Sequence, residues 1–126
     1  MAPKSTVSIC KRDSSEILIE SARWCSSWWC RLRGLQFRRR LGPGEALILV
    51  HKKDSIAQTT IHMFFVFFPI AAVWIDSQGR VTSAQLAKPW RPYYASPDPA
   101  RYVLETRPDF LKKIRVGDEI EFIDLL

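Results

Sequence analysis

"IHMFFVFFPIAAVWID", residues 61–76, is the most apolar stretch of the chain, and the fold turns on how it is read. A helix that crosses a bilayer needs about 20 apolar residues. Here the unbroken apolar run covers only residues 63–75, with Pro69 inside it and His62 and Asp76 flanking it. Residues 64–68 are all aromatic or β-branched, a composition that suits a pleated strand better than a helix. Pro69 removes a backbone donor from the middle of the run. The stretch therefore reads as two buried strands, about 61–68 and 70–76, bending around Pro69. It does not read as a membrane span.

The rest of the chain agrees with a soluble domain. Its 126 residues make one ordinary domain, 47% hydrophobic and 25% charged, the balance of a globular protein. A chain of this size buries about two thirds of its unfolded surface and needs no staple. The N-terminal "MAPKSTVSICKRDSS" lacks the apolar core of a signal peptide. Cys10, Cys25 and Cys30 are an odd number of thiols with no extracellular cue, so reduced cysteines and a cytoplasmic setting are expected.

Outward from the central run, alternating segments recur. "TVSICK" and "EILIE" with "RDSS" between them predict a hairpin. In "SARWCSSWWCRLRGL", Ser21 can cap a helix near residues 22–33, with Trp24, Trp28 and Leu32 on one buried face and Gly34 as its stop. Residues 45–50 predict a strand apolar on both faces, and "HKKDSIAQTT" a polar loop. "DSQGR" is a hairpin turn, with Gly79 placed for a positive φ, and "VTSAQLAK" the returning strand. "PWRPYYASPDPA" holds four prolines and predicts a long irregular loop. "RYVLET", a short "PDFLKKI" helix and "VGDEIEFIDLL" complete the chain. The expected fold is mainly β: an antiparallel β-sandwich or partly closed barrel of six to seven short strands with one packed α-helix, in a single domain over residues 1–126 with its core at about 5–123.

Taken together, "RLRGLQFRRRLGPGEALILV", "TIHMFFVFFPIAAVWIDSQGRV", "KPWR", "YVLET" and "VGDEIEF" resemble, in order and spacing, the family called domain of unknown function 192, or uncharacterised protein family 0127. The resemblance implies a compact β-sandwich with one packed helix, and no settled biochemical role. The chain departs from the family pattern at three places. Phe67 stands where an arginine is usual, Ala71 where an aspartate is usual, and "TRPDF" where a glycine follows the "LE" motif.

Candidate sites are few. No phosphate-cradling loop or nucleophile elbow is present, and no cofactor or metal is implied. His51, His62 and Asp54 have no spacing that marks them as a metal-ligand set. The ligand-pocket candidates are His62, Phe67, Pro69, Trp90, Glu105 and Asp118. Net charge is +6, and Arg31, Arg33, Arg38, Arg39 and Arg40 form a cluster able to attract nucleic acid or other anions, with Lys112, Lys113 and Arg115 as a second. Trp28, Trp29, Tyr93 and Tyr94 could supply stacking. The leading expectation is a non-catalytic binding or accessory module whose partner the sequence leaves open. One alternative is weak nucleic-acid or anion binding through the arginine cluster, another is a small enzyme near His62, His51, Glu105 and Asp118, and a protein partner is left open.

Overall fold

The computed structural model describes residues 6–125; residues 1–5, including the start of the polar N-terminal stretch, and residue 126 lie outside it. Seven strands form one mixed sheet. β1 (Thr6–Lys11) and β2 (Ile17–Cys25) make the N-terminal hairpin, joined by an Arg12–Ser14 turn. β3 (Ala46–Ser55) pairs with β2 in parallel over three residues and with β6 (Ala100–Thr106) in antiparallel. β4 (Ile70–Ile75) lies between β6 and β5 (Val81–Ala87), and β7 (Ile120–Asp124) pairs with β1. The order is β5-β4-β6-β3-β2-β1-β7.

The two edges meet at one corner. The Val81 N–H donates to Asp118 O at 2.9 Å and the Ile120 N–H to Gly79 O at 2.8 Å, so the sheet curls into a partly closed barrel. Gly79, at φ 87°, permits this approach. A Cβ there would stand 2.4 Å from both Ile120 O and Arg12 Nη2.

Pleating sends alternate residues of β3, β4 and β6 to two different cores. Ile48, Val50, Val73, Ile75 and Leu104 join Val7, Ile9 and Ile120 inside the barrel. Leu47, Leu49, Ala72, Trp74 and Val103 face outward, beneath Leu35, Leu41, Ile61, Met63 and Val66 from two long loops. The doubly apolar strands expected at the centre are there, but β4 starts only at Ile70.

Residues 61–68 are not a strand. Ile61 makes one antiparallel bridge to Tyr94, and residues 62–69 run as loop and turn over the outer face. Their buried members, Ile61, Met63 and Val66, do not keep the two-residue period of a strand. Residues 51–55, expected as loop, extend β3.

The helix is shorter than expected. Residues 22–25 belong to β2, held by pairing to Leu47–Leu49 of β3. The helix α1 is Trp28–Arg33, capped by Ser27, whose Oγ accepts from the Cys30 N–H at 3.1 Å. Trp24 therefore packs against Tyr102 and Phe122 at the barrel interior, while Trp28 is 68% exposed. The four-residue step between them spans a strand end and a helix start, so they do not share a face. Cys25 and Cys30 are joined in a disulfide, contrary to the expectation of reduced thiols, and the cytoplasmic setting loses that support. Cys10 is free and buried. No helix among the described residues is long and apolar enough to cross a membrane.

Candidate functional site

A cavity of about 170 Å³ opens on the outer face of the sheet, between the turn after α1 and the loop before β4. Arg31, Arg33, Gly34 and Gln36 line one side, and Gln58, Thr60, His62 and Val66 the other. Leu49, His51 and Glu105 form its floor, on β3 and β6. Gly34 ends α1 at φ 50°, ψ −126°, a conformation open to glycine, and turns the chain toward Leu35, which is buried in the outer core. The Arg33-Gly34-Leu35 segment thus roofs Glu105: a Cβ on Gly34 would lie 3.8 Å from Glu105 Oε1.

Glu105 has the parity of Val103, so β6 aims it into the outer core next to Leu47 and Ala72 on neighbouring strands. It is 6% exposed, and no described residue gives its carboxyl a hydrogen bond or an ion pair. Burial alone lifts its pKa from 4.5 to about 7, because an apolar surround disfavours the charged form. His51, half-buried, has its pKa lowered by burial and by the nearby Arg31 guanidinium. His62 is exposed and off any strand, contrary to the semi-buried position expected. Its Nδ1 accepts from the Phe64 N–H at 3.2 Å, which leaves Nε2 as the free nitrogen.

Of the residues expected to make a pocket, the structure brings His62 and Glu105 together and adds His51. Phe67 and Trp90 lie beside the cavity in an exposed ring cluster, and Pro69 is exposed just before β4. Asp118 is not part of this site. It accepts from the Arg115 N–H at 2.9 Å and borders a separate depression with Lys11, Asp13 and Arg80, at the corner where the barrel closes. The reading that joined it to His62 is corrected by that placement. Sequence reasoning missed Gly34, Gln36, Gln58 and Thr60 as lining residues; of these only the glycine carries a signal, through its place after the helix.

The arginine cluster is partly engaged. Arg31 donates to the carbonyls of Ser26 and Val50, and Arg38 pairs with Glu45. That contact, with the Gly42 N–H, outweighs burial and lowers the Glu45 pKa. Arg33, Arg39 and Arg40 are exposed. Next to them Phe37 stacks on Phe65 at 4.9 Å, Phe65 meets Trp90 edge-on at 5.0 Å, and Trp90 meets Phe67 at 5.8 Å. Phe37, Phe65 and Trp90 have φ of 66°, 61° and 67°. An L-residue in that region costs about 1–2 kcal/mol. The hydrogen bonds from Phe37 N–H to Phe65 O and from Trp90 N–H to Met63 O, both 2.8 Å, hold these turns. Among the described residues, no group of three or more His, Cys, Asp or Glu side chains is placed to hold a metal ion.

Residues 9–122 match the family model DUF192, described as "Uncharacterized ACR". The chain belongs to this family. A UPF0127 protein of Pyrococcus abyssi is 35% identical over 83 residues, 64% of this chain and 70% of the relative. Another, from Pyrococcus furiosus, is 29% identical over 109 residues, 85% of this chain and 90% of the relative. A third, from Thermococcus kodakarensis, is 33% identical over 94 residues, and the match spans 73% of this chain and only 58% of that relative's length. Among solved structures, a Sinorhizobium meliloti 1021 protein proposed as a transcription regulator superposes with a TM-score of 0.80 at 19% identity, covering 97% of both chains. A protein of unknown function from Novosphingobium aromaticivorans superposes at 0.77 with 20% identity, over 92% of this chain and 83% of that one. At these identities the two structures establish the fold alone.

For a DUF192 chain, two of the three departures from the family pattern, Ala71 and Phe67, fall in different surroundings. Ala71 is fully buried among the interior residues of the barrel, and Phe67 is exposed against Trp90. The interior is thus wholly apolar along β4, and the polar groups collect on the other face.

Proposed function

We propose that this DUF192 chain is a binding module whose small-molecule site is the cavity floored by Glu105. The observation that carries the reading is the carboxyl itself, nearly enclosed and without a partner among the described residues. Among the described residues no fully buried side-chain oxygen or nitrogen lacks a partner, so this carboxyl reaches solvent through the cavity alone. A ligand that brings a hydrogen-bond donor to it takes the place of that solvent. The cavity is small against the roughly 300–1,000 Å³ of drug-sized sites. It suits a small polar molecule, or one functional group of a larger one. An amine or hydroxyl would meet Glu105, and an acceptor or anionic end would meet Arg33 and His62 at the mouth.

The test is thermal unfolding of the wild type and of Glu105→Gln with glycine, ethanolamine or glycerol added. Stabilisation of the wild type by one of these, lost in the variant, supports the site. Equal stabilisation of both proteins, or none of either, sinks it.

A second reading draws on the Glu105 pKa of about 7 and the two histidines in the same cavity. Those groups are suited to general acid–base work near neutral pH. It would show as turnover of a bound small molecule with a pH profile that Glu105→Gln abolishes. The proposed regulatory role of the Sinorhizobium neighbour brings DNA into consideration for the arginine cluster. The engagement of Arg31 and Arg38 within the fold counts against that use.

A further inference from the structure

We infer that the chain docks on an anionic lipid surface through one exposed apolar face, built by α1, the turn after it and the loops at residues 64–67 and 89–91. This rests on observations separate from the Glu105 cavity.

The helix α1 buries none of its six residues. It is tied to the sheet by the Cys25–Cys30 disulfide and by the Arg31 hydrogen bond to Val50, while its large apolar side chains point away. Trp29 and Leu32 share a shallow groove with Phe37, and Phe37 continues through ring contacts to Phe65, Trp90 and Phe67. These six residues are 65%, 51%, 60%, 44%, 48% and 48% exposed. An apolar surface this continuous is unusual on a soluble monomer and marks an interaction site. Three of the rings are presented by backbone in the left-handed region, so local conformational preference works against their placement.

Charge selects the partner. Residues 26–44, 55–75 and 84–97, which carry this face, contain no aspartate or glutamate. They carry the exposed cations Arg33, Arg39, Arg40, Lys88 and Arg91. Tryptophan and phenylalanine rings beside arginine and lysine, without carboxylates, match the boundary of an anionic bilayer: rings enter the headgroup region and cations meet lipid phosphates. A nucleic-acid strand fits less well. The rings already contact one another, which leaves no slot for a base between them, and Leu32 offers no stacking surface.

Co-sedimentation with vesicles tests this. Intact protein should bind vesicles containing phosphatidylglycerol about tenfold more tightly than pure phosphatidylcholine vesicles, and the difference should shrink as salt rises. Trp29→Ser with Phe37→Ser should weaken binding roughly tenfold or more. Both side chains are exposed, so an unchanged unfolding midpoint should confirm that the variant is folded. Arg39→Glu with Arg40→Glu should remove the preference for anionic lipid. Three results would overturn the proposal: no vesicle binding at low salt, binding indifferent to the aromatic double variant, or binding instead to a single-stranded oligonucleotide that the same variant abolishes. A wild-type dimer in solution that the aromatic variant converts to monomer would assign the face to a second copy, and would overturn it equally. The cavity reading is scored by Glu105→Gln, which should leave vesicle binding unchanged, so the two can fail separately.

Discussion

The two faces of the same three strands have been given different work. Inside the barrel, β3, β4 and β6 contribute mainly apolar side chains, and the buried Thr106 there donates its hydroxyl to the Glu45 carbonyl. On the outer face the same strands contribute Leu47, Leu49 and Val103, but also Glu105, and the cover is loop rather than sheet. Loop cover packs less completely. It leaves a cavity, an unpartnered carboxyl and rings held at positive φ. Leu104 and Glu105 show the contrast within one peptide unit: adjacent on β6, they point to opposite faces. The interior can hold the fold together, which leaves the outer face free to keep features that cost stability.

Exchanging the chemistry of those two residues should break the comparison most sharply. Leu104→Glu would place a carboxyl among Ile48, Val73 and Ile75 with no partner and no opening. A loss of about 3–5 kcal/mol is expected, enough to unfold many domains of this size. Urea titration at pH 8 would measure it. A variant as stable as the wild type would mean that the interior is wetter than its apolar lining implies.

Glu105→Gln should act in the opposite direction. The folded carboxyl holds its proton more tightly than the unfolded one, with a pKa of about 7 against 4.5. Its stabilising contribution is therefore complete below about pH 4.5, falls as pH rises toward 7, and is flat above that. The shift corresponds to about 3 kcal/mol. The glutamine variant should match the wild type at pH 4 and exceed it by up to that amount at pH 8.5. Parallel curves across this range would show that Glu105 has a partner in solution.

Much of this division was legible in the sequence. Runs apolar at every position, such as residues 46–50 and 70–75, can only be buried on both sides, and they are. The glycine in "DSQGR" announced the hairpin whose edge closes the barrel. What could not be read was set by contacts distant in sequence. Residues 64–68 have the composition of a strand, yet they join no ladder; the Ile61–Tyr94 bridge is the pairing next to them, and they become cover. Trp24, Trp28 and Leu32 mimic a helical stripe, but pairing of residues 23–25 with β3 takes Trp24 into a strand. Glu105 was singled out through the family resemblance. Its environment depended on Gly34, 71 positions earlier, and no local pattern encodes that meeting.

The disulfide offers a smaller test. Closing a loop of five or six residues contributes about 2 kcal/mol in the chain-entropy account. Cys25→Ala with Cys30→Ala should lower stability by roughly that amount. Hydrogen exchange should quicken in α1, which buries none of its own side chains, and stay slow in β3 and β6. Uniform acceleration would mean that α1 and the sheet open together, and that the loop cover is a structural part of the barrel.

The smallest expected effect separates the faces most cleanly, because it concerns one residue type. Trp24 and Trp28 are four positions apart. Trp24 is half-buried against Tyr102 and Phe122, with ring centroids at 5.8 and 5.5 Å. Trp28 is 68% exposed and touches Trp29 at 6.3 Å. Removing a large aromatic from a core costs about 3–5 kcal/mol. Trp24 is only half-buried, so Trp24→Ala should cost somewhat less, on the order of 2–3 kcal/mol. Trp28→Ala should stay within about 0.5 kcal/mol, the range of surface substitutions. Alanine is also the better helix former, which offsets part of what little contact is lost. Denaturant midpoints of the two variants, measured side by side, decide the matter. A large loss at Trp28 would show α1 packed down on the sheet in solution, with its tryptophans inside. The outer face would then be a closed core, and the contrast drawn from it would fail.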